Sequence, residues 1–299
     1  MKIYAPDYYS RFSCIADKCK HSCCVGWEID IDDLSMERYR SIKDIYDNIV
    51  TDENGVHSFK LCEGERCPFL DEKGLCRLIL SYGEDILCDI CADHPRYRNF
   101  YSDRTEIGLG LCCEAVAELI AGNEQKVKMV LLSDDGCEDI PDDCETDLIE
   151  AKRLITEAMQ NREIPYSDRE KAVLPSLKAY SRKEIYDILY PLERLSTEWD
   201  DMLSALLTEG EADIHDYDVV KEQLAVYFIF RHLNSECYDL DEAVYFSLFS
   251  VRAIMCIARA YYGENPTISE ISDIARMYSA EIEYSDCNIE EIIEKISVG

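Results

Sequence analysis

The sequence predicts a mainly α-helical protein in which an irregular, cysteine-rich N-terminal part is packed on an α-helical C-terminal domain. Three observations carry this. Eleven of the sixteen cysteines fall between residues 14 and 113. From Glu114 onward apolar residues recur three and four apart, the period of a helix with one buried face. At 299 residues the chain has enough apolar content for a packed core that needs no disulfide staples.

Along the first part, GWEIDID (26–32) alternates apolar and acidic residues like a half-buried strand. DLSMERYRSIKDIYDNIV (33–50) reads as one helix, started by Asp33 or Ser35, with Met36, Tyr39, Ile42 and Ile45 on its apolar face. Gly74 in DEKGLC marks a turn. LILSYGEDILCDICADHP (78–95) is helical in pieces and must stop near Pro95. Helices follow over 114–123, 145–161, 181–207 (broken by Pro191), 216–233, 241–263 and 267–282. Thr267 and Glu270 fit a capping box at the last of these. The acidic SDDGCEDIPDDCE (133–145) is the linker candidate, which divides the chain into 1–132 and 133–299.

Composition excludes several classes. The opening MKIYAPDYYS has no basic stretch leading into an apolar core and is read as carrying no secretory signal. AVYFSLFSVRAIMCIARAYY (243–262) is interrupted by Ser247, Ser250, Arg252 and Arg259, so it is expected as a buried helix with no membrane span. A net charge of −31 without clustered Lys or Arg argues against nucleic acid as a partner. Such a surface is solvated, and it attracts cationic protein segments. The expected location is the cytoplasm, where thiols stay reduced and abundant cysteines bind metal more often than they form disulfides.

The cysteine spacing leaves zinc and an iron–sulfur cluster both open. Cys19 and Cys23 share a face if their segment is helical, and Cys88, Cys91 and His94 are spaced by threes. Only Cys88–Cys91 is a CxxC, without the second such pair usual in zinc knuckles. Iron–sulfur clusters accept less regular spacing. Adjacent Cys23 and Cys24 point apart, which suggests two centres or one ligand and one bystander. Cys137, Cys144, Cys237, Cys256 and Cys287 are scattered and read as small buried apolar groups. Gly26 stands where a radical S-adenosylmethionine motif would need its third cysteine, and GLGLCC (108–113) is too short for a dinucleotide loop. His215 and His232 read as core or surface residues, and His94 as a ligand, a neighbour of one, or a base.

FSCIADKCKHSCCVGWEIDID (12–32), CPFLDEKGLCRLILSYGEDILCDICADHPR (67–96) and LGLCCEAVAELI (109–120) resemble the flagellin lysine-N-methylase family, within a wider cysteine-cluster group described as zinc- or iron-chelating. The shared elements are the cysteine cluster before Gly-Trp, Cys-Pro-Phe-Leu, Gly-x-Cys, Cys-x-x-x-Pro-Arg and a cysteine shortly before Glu-Ala. They cover roughly the first 120 residues. The resemblance implies S-adenosylmethionine-dependent methylation of flagellin lysines, with one or two [4Fe–4S] clusters and zinc as the alternative metal. It makes Cys14, Cys19, Cys23, Cys24, Cys67, Cys76, Cys91 and Cys112 the metal ligands. Arg96 becomes the group that can donate to a cluster or to a cofactor carboxylate. Cys62, Cys88 and Cys113 lie outside the family pattern. The competing functions are an iron–sulfur electron carrier and a zinc-stabilised interaction module, both without methyltransferase activity.

Overall fold

The computed structural model describes residues 1–136, 140, 142–208, 210, 217–235 and 239–297. It consists of two compact units, Ser13–Tyr97 and the combination of Met1–Phe12 with Arg98–Gly299. The opening strand β1 (Lys2–Pro6) belongs with the second, larger unit, because it hydrogen-bonds to strands far along the chain. The sequence reading had placed the boundary at 132/133. Residues 1–12 and 98–132 instead join the helices, drawn there by that sheet.

The smaller unit is built from short pieces. It contains α1 (Asp33–Tyr39), α2 (Lys43–Tyr46), the hairpin β2 (Ile49–Thr51) and β3 (His57–Phe59), α3 (Arg77–Tyr82) and α4 (Asp89–Asp93). The single helix expected over 33–50 is broken. Ile42 is extended between α1 and α2, and the chain turns into β2 at Ile49, although Met36, Tyr39 and Ile45 are all buried as the helical spacing requires. Asp32, one residue before the expected start, caps α1. GWEIDID is not a strand: it follows the isolated bridge of Val25 to Arg66 and itself holds one, Asp30 to Ser58, with Ile29 and Ile31 buried in alternation. The 78–95 segment is helical in pieces, as α3, a 3₁₀ turn at Glu84–Ile86 and α4. Gly74 takes φ +79° in a turn whose Lys73 and Leu75 N–H groups donate to the Asp71 carboxylate. The elements close on one core of Ile29, Ile31, Met36, Tyr39, Ile45, Phe59, Cys67, Phe69, Leu78 and Cys88. Phe59 is its centre, 5.9 Å from the Tyr39 ring and 5.2 Å from Phe69.

β4 (Arg96–Phe100) contains the boundary between the units. It is followed by β5 (Arg104–Leu109), α5 (Glu114–Ala121) and β6 (Met129–Asp134). The four-stranded sheet has the order β4-β5-β1-β6, with β1 parallel to β5 and antiparallel to β6. The helices α6 (Asp143–Met159), α7 (Tyr166–Val173), α8 (Arg182–Leu189), α9 (Thr197–Ser204), α10 (Asp218–His232), α11 (Leu240–Tyr262), α12 (Ile268–Tyr278) and α13 (Asp286–Ser297) complete the larger unit, so the chain is mainly α. Pro191 falls in the break between α8 and α9, and Thr267 with Glu270 forms the expected capping box. α11 is long and apolar enough to cross a membrane, but most of that stretch is buried inside the fold. Phe228 of α10 meets Phe246 of α11 and Tyr278 of α12 edge-on, at 6.4 and 6.0 Å. The four sheet strands were not legible in the sequence.

Candidate metal centre

Five thiols lie in or against the core of the smaller unit. Cys67 and Cys88 are part of it, and half-buried Cys24, Cys76 and Cys91 pack on it. Backbone pairing puts them there. The Cys67 N–H donates to the Cys24 carbonyl at 2.8 Å, and Leu70 bridges to Cys76 across the Gly74 turn. Cys76 and Cys88 occupy the N-cap positions of α3 and α4, and Cys91 sits one turn into α4. Cys88 is fully buried, although the family resemblance leaves it outside its pattern. The signal that could have found it was its place in the one CxxC.

Burial opposes ionisation here. It pushes the Cys67 thiol up to about 11, with Cys24, Cys76 and Cys88 adding to the effect, and it raises Cys76 as well. A hydrogen bond from Cys23 holds Cys24 down at about 7 against burial, helped by Ser22 and Arg66. Cys88 and Cys91 share a hydrogen bond that lowers the first and raises the second. A metal would supply the positive charge that makes such thiols ionise, since coordination deprotonates a thiol outright. Among the described residues, no three His, Cys, Asp or Glu side chains stand close enough to hold a single ion as they are. Tetrahedral zinc needs sulfurs gathered about 2.3 Å from one ion. An iron–sulfur cluster asks four thiolates to stand around a larger body. An all-thiolate donor set of this kind serves either group.

The remaining candidates are not part of this core, although Cys23 hydrogen-bonds to Cys24. Cys14 and Cys23 are exposed, and Cys19 is half-buried. The Ala16 N–H donates to the Cys14 sulfur at 3.4 Å, and the Cys19 thiol donates to the His21 carbonyl at 3.2 Å. Cys62 is exposed. Arg96 directs its guanidinium at the carbonyls of Ala92 and Asp93, the last turn of α4. His94 is held neutral, at about 4, by burial and by Arg96, and meets Trp27 edge-on at 5.6 Å.

The chain was compared with known proteins. Over 125 residues it is 32% identical to Lysine-N-methylase of Salmonella typhimurium, covering 38% of this chain and 31% of that protein. It is likewise 32% identical over 125 residues to the flagellar biosynthetic protein FliU of Salmonella muenchen, of which it covers 74%. The chain belongs to the flagellin lysine-N-methylase family. The match spans about a third of the Salmonella lysine-N-methylases, at 31% of their length. No family profile matches, and no solved structure does.

In this family member Cys112 lies in the larger unit, as does Cys113, which occupies the N-cap position of α5. The Cys112 thiol meets the Tyr284 hydroxyl at 3.1 Å, and burial pushes it up to about 11. Beside it runs a largely buried polar chain. Glu283, in a π-helical turn at Ser279–Glu283, accepts from Tyr227 at 2.9 Å and pairs with Arg231 and His232. His232 is therefore a paired core residue, with its basicity lowered by burial. Of the scattered cysteines, Cys256 is buried as expected, whereas Cys144 and Cys287 are exposed near the start of α6 and in α13. Each follows an acidic residue at a helix beginning and faces solvent. Cys137, Cys237 and His215 lie outside the described residues.

Proposed function

We propose that the chain is an S-adenosylmethionine-dependent protein-lysine N-methyltransferase acting on flagellin in the cytoplasm, with a [4Fe–4S] cluster in the Ser13–Tyr97 unit. The observation that carries this is the gathering of five thiols on one small core, in a chain whose relatives are named for lysine methylation and flagellar biosynthesis. Four of Cys24, Cys67, Cys76, Cys88 and Cys91 would hold the cluster. S-adenosylmethionine, when bound, supplies an electrophilic methyl group.

The chain's own part is to bring in the lysine and neutralise it. A lysine ammonium, with an ordinary pKa of about 10.4, must lose its proton before nitrogen can attack. The surplus of 62 acidic over 31 basic side chains draws cationic segments toward the protein. Arg96, at the start of β4 with its guanidinium on the last carbonyls of α4, would donate to a cofactor carboxylate.

Anaerobically purified protein is expected to carry about four irons and four sulfides per chain. It should also transfer labelled methyl groups to flagellin lysines. Cys88→Ser should lose the iron, whereas Cys62→Ser should keep it. Zinc without sulfide would remove the cluster from this reading. A fully loaded protein that transfers no methyl group to flagellin would make it a metal or electron-transfer protein instead.

A further inference from the structure

β6 ends the sheet, where it pairs with β1 alone. All six of its residues, MVLLSD, are exposed, with Met129 at 44%, Val130 at 37%, Leu131 at 50% and Leu132 at 45%. Successive side chains on a strand point to opposite faces, so apolar groups are exposed on both faces of this one. Such a strand belongs inside a sheet. As an edge it presents unpaired backbone groups, and within the strand it lacks the lysine or proline that usually blunts such an edge.

The flanking charges indicate what covers it. Exposed Lys126 and Lys128 precede the strand, and exposed Asp134 and Asp135 close it, in a chain that is otherwise strongly acidic. We propose that β6 is the contact of a homodimer, pairing antiparallel with its own copy about a two-fold axis and joining the two sheets. That arrangement sets the lysine end of each strand against the aspartate end of the other, twice over. A lysine-rich or an acidic peptide would match one end and oppose the other. Asp135 also pairs with the chain's own N-terminal amine, so Asp134 carries most of the contact. The register between β1 and β6 shifts at Leu132, which keeps the regular edge short. The interface is therefore smaller than the roughly 800 Å² per partner of a standard one, and dilution dissociates it.

Sedimentation over a concentration series should show a mass rising from 34.5 kDa toward twice that value. Lys126→Glu/Lys128→Glu and Asp134→Lys/Asp135→Lys should each stay monomeric alone and form a heterodimer when mixed, which misfolded protein cannot do. A wild-type chain that remains at 34.5 kDa at every concentration would overturn the proposal. So would charge variants that self-associate as well as the wild type.

Discussion

The two units solve the problem of a core in opposite ways. Ser13–Tyr97 wraps helices of four to seven residues around ten buried side chains, two of them cysteines. The larger unit packs α10 and α11, of 15 and 23 residues, through interlocking aromatics. It also neutralises its buried charges with its own side chains. Glu222 pairs with Arg162 and Arg169, Lys152 with Glu106, and Glu283 with Arg231 and His232. The smaller unit buries thiols that burial keeps protonated. One unit pairs its buried charges within itself; the other sets five thiols in and against its core.

If the smaller unit holds the proposed cluster, the strongest way to break this comparison is to strip it. Metal binding contributes about 10 kcal/mol or more to small metal domains. Anaerobic chelation is therefore expected to abolish amide-exchange protection across Ser13–Tyr97 while α10 and α11 keep theirs. Equal protection before and after chelation would show that the short helices are held without the thiols' partner.

The converse test attacks the larger unit's self-sufficiency. Glu222→Gln strands Arg169, whose side chain is only 4% exposed, and leaves the more exposed Arg162 without its carboxylate. Removing one member of a buried ion pair costs about 3–5 kcal/mol. The denaturation midpoint of the larger unit should fall accordingly, with metal content unchanged. Paired truncations sharpen the contrast further. Phe59→Ala and Phe228→Ala each empty a fully buried ring site in their own unit, at about 3–5 kcal/mol in the loaded protein. After chelation only Phe228→Ala should still register, because the unit that Phe59 centres is already open.

The same contrast explains what could be read in advance. In the larger unit the helices carry their own apolar period, and most of them their own cap, so α5, α6 and α8 to α12 are legible from spacing alone. The sheet was not. β1, β4, β5 and β6 are short, and β1 meets its partners only after more than a hundred intervening residues. In the smaller unit, apolar spacing gave the right buried residues but the wrong continuity, since tertiary contacts broke the 33–50 helix at Ile42. Cys24, Cys67, Cys76 and Cys91 were recognisable by family motif. Cys88 lies outside that motif, and only the fold shows its depth in the core. Sequence order, in turn, grouped Cys112 with thiols that the fold assigns to another unit.

The smallest expected effect tests how the short helices are tied together. One Asp32 oxygen accepts from the Ser35 N–H at 2.8 Å and caps α1; the other accepts from the Asp89 N–H at 2.9 Å and holds the start of α4 beside Cys88 and Cys91. Burial raises this carboxyl's pKa, but the hydrogen bonds from Asp89 and Ser35 outweigh it and leave the pKa below the ordinary value. The folded state thus binds this proton more weakly than the unfolded chain. Its contribution is complete above about pH 4 and disappears as the pH falls through the lower folded value. Asp32→Ala should cost about 1–2 kcal/mol at neutral pH. Asp32→Asn retains one acceptor oxygen, enough for Ser35 or Asp89 but not both, so it should lose about half as much. Urea midpoints of wild type and Asp32→Asn should differ at pH 6 and converge as the wild-type carboxyl protonates. A difference that persists undiminished in acid would mean that Asp32 acts through packing, and that α1 and α4 are held together by the core beneath them.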